Sequence, residues 1–297
     1  MSQLSAKKKI LVIINPISGT AKKKNLPEII NRLIDKDIFD IQILYSRYKG
    51  EATEIVSSKL ADNYTYFVAV GGDGTVNEIA KALIGTEGIM GILPIGSGNG
   101  LARHLQIPLS LEKAIQVINK QKHQAIDYGL INEVPFFCCC GVGFDAHIGH
   151  MFSQAKSRGF SGYIKTTVRE YMNYKPEVYR LTVDNNKATE HKAFLITFAN
   201  GSQYGNNAHI APLADIKDGK LDICILSPFR LFKAPAIGAS LFFKNIDRSS
   251  HMHTEKASRV LLERAAEGVI HFDGEPCMMG KRLEISVIHK GLNILVP

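Results

Sequence analysis

The stretch Val68-Ala69-Val70-Gly71-Gly72-Asp73-Gly74-Thr75-Val76-Asn77-Glu78 sets an apolar run against three glycines, one acid and the start of an amphipathic pattern. The apolar run reads as a buried strand, and Val76, Ile79, Ala80 and Leu83 recur on one helix face. Glycines between such elements let the backbone approach a ligand closely. Unpaired N–H groups at a helix start attract anions, phosphate above all. A carboxylate among them repels phosphate unless a cation lies between, so Asp73 implies Mg²⁺. A plain strand-to-helix turn needs one glycine, not Gly71, Gly72 and Gly74 around an acid. The loop is no Walker A sequence, because no Gly-Lys-Ser/Thr follows. It is no dinucleotide fingerprint either, because the acid stands at its centre.

The same alternation continues on both sides. Ile10–Ile14 reads as a strand ending in the turn Asn15-Pro16-Ile17-Ser18-Gly19, and Leu26–Ile34 has helical spacing. Strands follow at Ile41–Leu44, Tyr66–Val70 and Gly91–Ile95, with helices at Glu51–Leu60, Val76–Ile84 and Leu111–Asn119. Such a pattern predicts an α/β domain with a parallel sheet covered on both faces over residues 1–126. A second glycine loop, Gly96-Ser97-Gly98-Asn99-Gly100, ends the Gly91–Ile95 strand. Ligands sit at the carboxyl ends of strands in open parallel sheets, so three loops are expected to converge on one edge.

Beyond Asp127 the pattern changes. Phe136–Cys140, Tyr179–Val183, Ala193–Phe198, Leu221–Leu226, Val269–Phe272 and Leu283–Val287 read as strands divided by turn residues. They predict a mostly antiparallel β domain over 127–287. The final Leu292–Val296 could return to either sheet, so 288–297 could complete the first domain. Residues 229–248 look helical and apolar, with Arg230, Lys233 and Lys244 interspersed. They suit a membrane-interface surface or a core helix. His251-Met252-His253 reads as surface at a loop or helix end.

The chain has 297 residues and a formal net charge of +8, from 36 Lys and Arg against 28 Asp and Glu. The excess points to an anionic partner: nucleotide phosphate, acidic membrane or nucleic acid. At 45% hydrophobic and 22% charged, the composition is that of a folded protein. Its apolar runs fall short of the ~18–20 residues of a membrane-spanning helix. Cys138-Cys139-Cys140 with isolated Cys224 and Cys277 is neither a disulfide framework nor a metal spacing. A soluble cytoplasmic protein with reduced thiols is the expectation.

Gly71-Gly72-Asp73-Gly74-Thr75-Val76-Asn77-Glu78 resembles the signature of the diacylglycerol kinase catalytic domain, shared with sphingosine and ceramide kinases. The resemblance extends to Asn15–Gly19, to Ser46 with Gly50-Glu51-Ala52, and to Gly96-Ser97-Gly98-Asn99. In the second half it takes in Gly143-Phe144-Asp145-Ala146, Asn200-Gly201…Tyr204-Gly205, Ala211–Ala214 with Asp218–Asp222, and Asp273-Gly274-Glu275. It implies a nucleotide domain like that of phosphofructokinase and NAD kinase, a β-sandwich-like second domain, and an active site in the cleft.

By this resemblance the nucleotide contacts are Asn15, Pro16, Ile17, Ser18, Gly19, Ser46, Gly71, Gly72, Asp73, Gly74, Thr75, Val76, Asn77 and Ser97. ATP is the implied co-substrate, with Asp73 acting through Mg²⁺. A structural Mg²⁺ is implied at the Asp218 side chain and the backbone oxygens of Asp215 and Lys220. The general base for the lipid hydroxyl is implied in Asp273-Gly274-Glu275, with Asp273 favoured and Glu275 its neighbour or competitor. Asp145 could meet a polar head group or sit in a solvated turn, and Asp273 and Asp218 could be ordinary Asp-Gly turn residues. Gly100 and Thr20 depart from related bacterial diacylglycerol kinases, which carry Asp and Lys there for an Asp–water–Mg network.

The expected function is an ATP- and Mg-dependent lipid kinase acting on diacylglycerol or a sphingoid-type lipid at the inner face of the membrane. A homodimer is open. An NAD kinase-like enzyme with a soluble substrate and a non-catalytic lipid- or nucleotide-binding regulator are the competing readings. Nucleic-acid binding rests on charge alone.

Overall fold

Apolar runs that alternate with amphipathic helices bury both faces of each strand only when helices cover the sheet on both sides. The computed structural model, which describes residues 6–18, 25–154 and 167–297, has this arrangement in its N-terminal part. The chain divides into two units, Met1–Ile126 with Lys290–Pro297, and Asp127–His289. Among the described residues no helix is long and apolar enough to cross a membrane.

In the first unit the strands are β1 (Lys8–Ile14), β2 (Phe39–Tyr45), β3 (Tyr66–Gly71) and β4 (Ile89–Pro94). The helices are α1 (Leu26–Leu33), α2 (Glu51–Leu60), α3 (Asp73–Leu83), α4 (Gly100–His104) and α5 (Leu111–Lys120). The strands pair in parallel in the order β2-β1-β3-β4. Asn293 and Ile294 add a fifth parallel position beside Ile89 and Met90 of β4. The chain steps from β1 to β2 on one side and then crosses past β1 to β3 on the other, so the order reverses between β1 and β3. Crevices for ligands open at such a reversal. Helix α3 begins at Asp73, three residues before the sequence pattern suggests, because the loop's Asp73, Gly74 and Thr75 already take helical backbone.

The second unit is a β-sandwich. Its elements are β5 (His123–Ile131), β6 (Val134–Phe136), β7 (Cys139–Gly143), α6 (Phe144–Gln154), β8 (Glu177–Val183), β9 (Thr189–Ala193), β10 (Leu195–Ala199), β11 (Gln203–Gly205), β12 (Ala208–His209) and β13 (Leu221–Leu226). Helix α7 (Ala234–Phe242), β14 (Met252–Ala257), β15 (Arg259–Arg264), β16 (Gly268–Phe272), β17 (Glu275–Met279) and β18 (Arg282–Leu295) complete it. One antiparallel sheet runs β14-β13-β10-β7-β16-β17, and a second layer contains β18, β15, β8 and β9. Cys140, Val142, Ile196, Phe198, Ile223 and Ile270 of the first sheet share one buried core with Tyr179, Leu181, Val260, Leu262, Leu283 and Ile285 of the second layer.

Several local readings are corrected here. Phe136–Cys140 is not one strand: the chain leaves the ladder at Phe137 and Cys138, whose N–H groups bond a carboxylate instead. Ala193–Phe198 breaks at Phe194, whose N–H goes to Leu226 O and whose carbonyl accepts from Phe144 N. Met252 and His253 are not loop or helix-end surface; they open β14, opposite Leu226 and Ile225. The core-helix reading of residues 229–248 fails, since no residue of α7 is buried. All five cysteines are free thiols.

Candidate active site

In the first unit, backbone hydrogen bonds tie the ends of neighbouring strands together. Asn15 N donates to Val70 O, Ser46 N to Ile14 O and Ile95 N to Gly71 O. The first loop folds on Asn15, whose Oδ1 accepts from Ile17 N at 3.0 Å while its carbonyl accepts from Ser18 Oγ at 3.0 Å. The Asn15 amide donates to Thr75 Oγ1 at 3.0 Å, joining the β1 and β3 loops across the reversal point. Ser46 is buried, and Glu51 shapes its turn through Arg47 Nε at 2.8 Å and the Arg47 backbone N–H. Thr75, Val76 and Asn77 are buried, whereas Ile17 and Ser97 are exposed. Gly19 lies outside the described residues, as do Thr20 and Lys22 to Lys24.

The two glycine loops interlock around Asp73. Its Oδ2 accepts from Asn99 N at 2.9 Å and its Oδ1 from Gly100 N at 2.7 Å. The Asn99 side chain spans the second loop, accepting from Gly96 N at 3.1 Å and donating to Gly96 O at 2.7 Å. A Cβ on Gly96 would overlap the Gly72 backbone, and one on Gly98 would overlap Asp73 Oδ2. Only glycine permits either approach. Burial pushes the Asp73 carboxyl above the usual carboxylate range, and the Gly100 and Asn99 N–H bonds offset part of that rise. The Asp73 backbone N–H and the Arg103 charge favour the ionised carboxylate as well. Its carboxylate is a hard anionic oxygen donor of the kind that suits Mg²⁺.

The second unit carries two acid centres. Asp273 and Gly274 form the β16–β17 turn with φ of 48° and 82°, the positive-φ pair of a type I′ hairpin. Its carboxylate reaches the residues that lead into β7. Oδ2 accepts from Phe137 N at 2.8 Å, and Oδ1 accepts from Cys138 N at 2.7 Å and Cys139 N at 3.1 Å. This explains why Phe137 and Cys138 leave the sheet. Glu275 follows on β17, paired with Phe272.

Asp145 is not in a solvated turn; it stands in the first turn of α6, nearly fully buried. Its Oδ1 accepts from Ala146 N at 2.8 Å. Its Oδ2 meets His271 Nε2 at 2.9 Å, Tyr204 OH at 3.0 Å and Thr197 Oγ1 at 3.1 Å. Burial first, then the Asp145 charge, pushes the Tyr204 hydroxyl far above its usual range, so it remains a donor. Residue-by-residue reading missed His271 and Thr197. His271 had one usable signal: it lies in β16 two residues before the Asp273-Gly274 turn.

Asp215, Asp218 and Lys220 lie in the loop before β13. Asp218 Oδ1 accepts from Lys220 N at 2.9 Å, and Asp215 Oδ1 from Lys217 N at 3.0 Å. Lys256 Nζ sits 2.5 Å from Asp218 Oδ2 and 3.7 Å from Asp222 Oδ2. Buried Asp127 fastens the loop, accepting from Gly219 N at 2.7 Å and pairing with His289 Nδ1 at 2.9 Å. The Lys256 ammonium thus pairs with the Asp218 carboxylate that a Mg²⁺ at this loop would use. Among the described residues no group of three or more His, Cys, Asp or Glu side chains could hold a metal.

Comparison with known proteins covers both units. Residues 9–131 match the diacylglycerol kinase catalytic domain, and residues 139–296 match the YegS C-terminal NAD kinase beta sandwich-like domain. A protein named probable lipid kinase YegS-like, from Pseudomonas aeruginosa PAO1, is 31% identical over 84% of this chain and 82% of its own. Another of that name, from Klebsiella pneumoniae strain 342, is 28% identical over 97% of this chain and 95% of its own. A solved structure described as a diacylglycerol kinase from Bacillus anthracis str. Sterne superposes with a TM-score of 0.75 at 20% identity. It covers 98% of this chain and 97% of its own, and the likeness speaks to the fold.

Proposed function

Since the chain belongs to the diacylglycerol kinase catalytic-domain family of YegS-like lipid kinases, we propose that it moves the γ-phosphoryl group of ATP onto the hydroxyl of a membrane-derived lipid, diacylglycerol or sphingoid-type. The observation that carries the reading is the interlock of the two glycine loops around Asp73. It sets the two glycine loops side by side at the carboxyl ends of β3 and β4, with α3 starting at Asp73, the setting in which parallel sheets bind phosphate groups.

In this reading Asn15, Ser18, Thr75 and the glycine loops hold and orient the phosphates. Asp73 would hold Mg²⁺, which when bound neutralises phosphate charge. Asp273 takes the proton from the lipid hydroxyl as that oxygen bonds to the γ-phosphorus and the bridging oxygen leaves with ADP. Its place at the end of β16, with the carboxylate oriented by the N–H groups of Phe137, Cys138 and Cys139, supports it as the proton acceptor. Asp145, held by His271, Tyr204 and Thr197, is a preset polar partner for the head group.

The test is γ-phosphate transfer from Mg-ATP into a panel of diacylglycerols, sphingoid bases, ceramides and monoacylglycerols in mixed micelles, with NAD as the soluble control. We expect one lipid class to be labelled, and Asp73→Ala to lower the rate by roughly 10²-fold or more. Label on NAD, or nucleotide binding without transfer to any lipid, would overturn the proposal.

A further inference from the structure

Helix α7 reads Ala-Pro-Ala-Ile-Gly-Ala-Ser-Leu-Phe, nine residues without a charge. A helix apolar all round is normally buried in a core or in a membrane. This one buries no residue at all. The turn before it and the residues around its end are as open: Leu231 is 46% exposed, Phe232 71%, Phe242 44% and Phe243 77%. Large apolar side chains concentrated in one exposed segment mark a docking surface rather than chance exposure.

The charges identify the occupant. Arg230, Lys233 and Lys244 are exposed within this segment, and no acid occurs from Phe229 to Ile246. A two-fold contact with a second copy would set these cations against themselves. An anionic bilayer pairs with every one of them and accepts the aromatic rings at the headgroup level. We propose that residues 230–244 form the surface on which the protein docks to anionic membrane, with Phe232 and Phe243 inserting and Arg230, Lys233 and Lys244 meeting lipid phosphates.

The segment is anchored where such docking is useful. The Phe229 ring packs against Phe194 at 4.9 Å, and Phe194 against Phe144 at 4.4 Å. Phe144 immediately precedes Asp145, the residue assigned to the lipid head group. The purpose of docking therefore rests on the lipid-kinase reading, although the binding itself does not.

The full chain would be co-sedimented with phosphatidylcholine vesicles, with and without phosphatidylglycerol, beside F232S/F243S and K233Q/K244Q. We expect phosphatidylglycerol-dependent binding by the parent chain, a loss of about tenfold or more in F232S/F243S, and loss of the lipid preference in K233Q/K244Q. All four positions are exposed, so unchanged melting of the variants separates docking from folding. Equal sedimentation of parent and variants would overturn the proposal. So would a dimer that F232S/F243S dissociates, since it would make a second copy the occupant. Docking without transfer to any lipid would leave this surface standing and remove the kinase reading alone.

Discussion

Asp273 shows how one residue serves two ends of the chain. Its own turn needs positive φ, and its carboxylate gathers three N–H groups from Phe137 to Cys139. Asparagine keeps the backbone preference for positive φ and one acceptor oxygen, but it cannot take the hydroxyl proton. Asp273→Asn is expected to keep fold and ATP binding while kcat falls by roughly 10²–10⁴-fold. Single-turnover transfer beside a nucleotide-binding titration checks this, and a near-parent kcat would leave Asp273 a structural clasp. Asp73 is the counterpart on the other unit, where burial makes its bare charge costly and suits it to a cation.

Between elements, carboxylates replace missing ladder bonds. Asp184, at φ 47° in the β8–β9 turn, accepts through Oδ1 from Ser258 N at 3.0 Å, Ser258 Oγ at 3.0 Å and Arg259 N at 2.9 Å. Burial opposes its charge, yet the bonds from Arg259 and Ser258 prevail and hold its carboxyl below the usual range. A carboxyl depressed in the folded state contributes stability above its unfolded pKa of about 3.9, and this is lost as pH falls through the lower folded value. Asp184→Ala should therefore cost about 1–3 kcal/mol at pH 7, with the difference from the parent vanishing in acid. Urea unfolding at pH 7 and again well below pH ~4 reads both halves. A gap that persists in acid would refute the assignment. Lys256 plays the matching part for the Asp215–Lys220 loop, a role that depends on the cross-strand pairing of Asp222 with Lys256.

Across the molecule, the last residues of the chain belong to the first unit. Leu292, Ile294, Leu295 and Val296 are buried, and Val296 N donates to Lys122 O. Four such side chains at ~1.5–3 kcal/mol each amount to roughly 6–12 kcal/mol, comparable with a whole domain's stability. Ending the chain at His289 should leave a protein without a cooperative melt, and Ile294→Ala should cost about 2–5 kcal/mol. Circular dichroism melts decide it: a truncated chain melting within a few degrees of the parent would contradict the burial argument.

The sequence by itself determined the fold class and the strand–glycine–helix construction around Asp73. Periodicity, glycine placement and the Asp-Gly turns are local properties, and local forces act on them before any distant contact forms. Leu221–Leu226 and Glu51–Leu60 appear in the structure with the limits their patterns suggest. Tertiary structure alone decided the partners: Asn99 and Gly100 N–H on Asp73, Phe137 to Cys139 N–H on Asp273, His271 on Asp145 and Lys256 on Asp218. It also decided that β7 starts late and that α7 stays uncovered. Each of these joins residues far apart in the chain or depends on what covers a face, and neither is written in the spacing of neighbours.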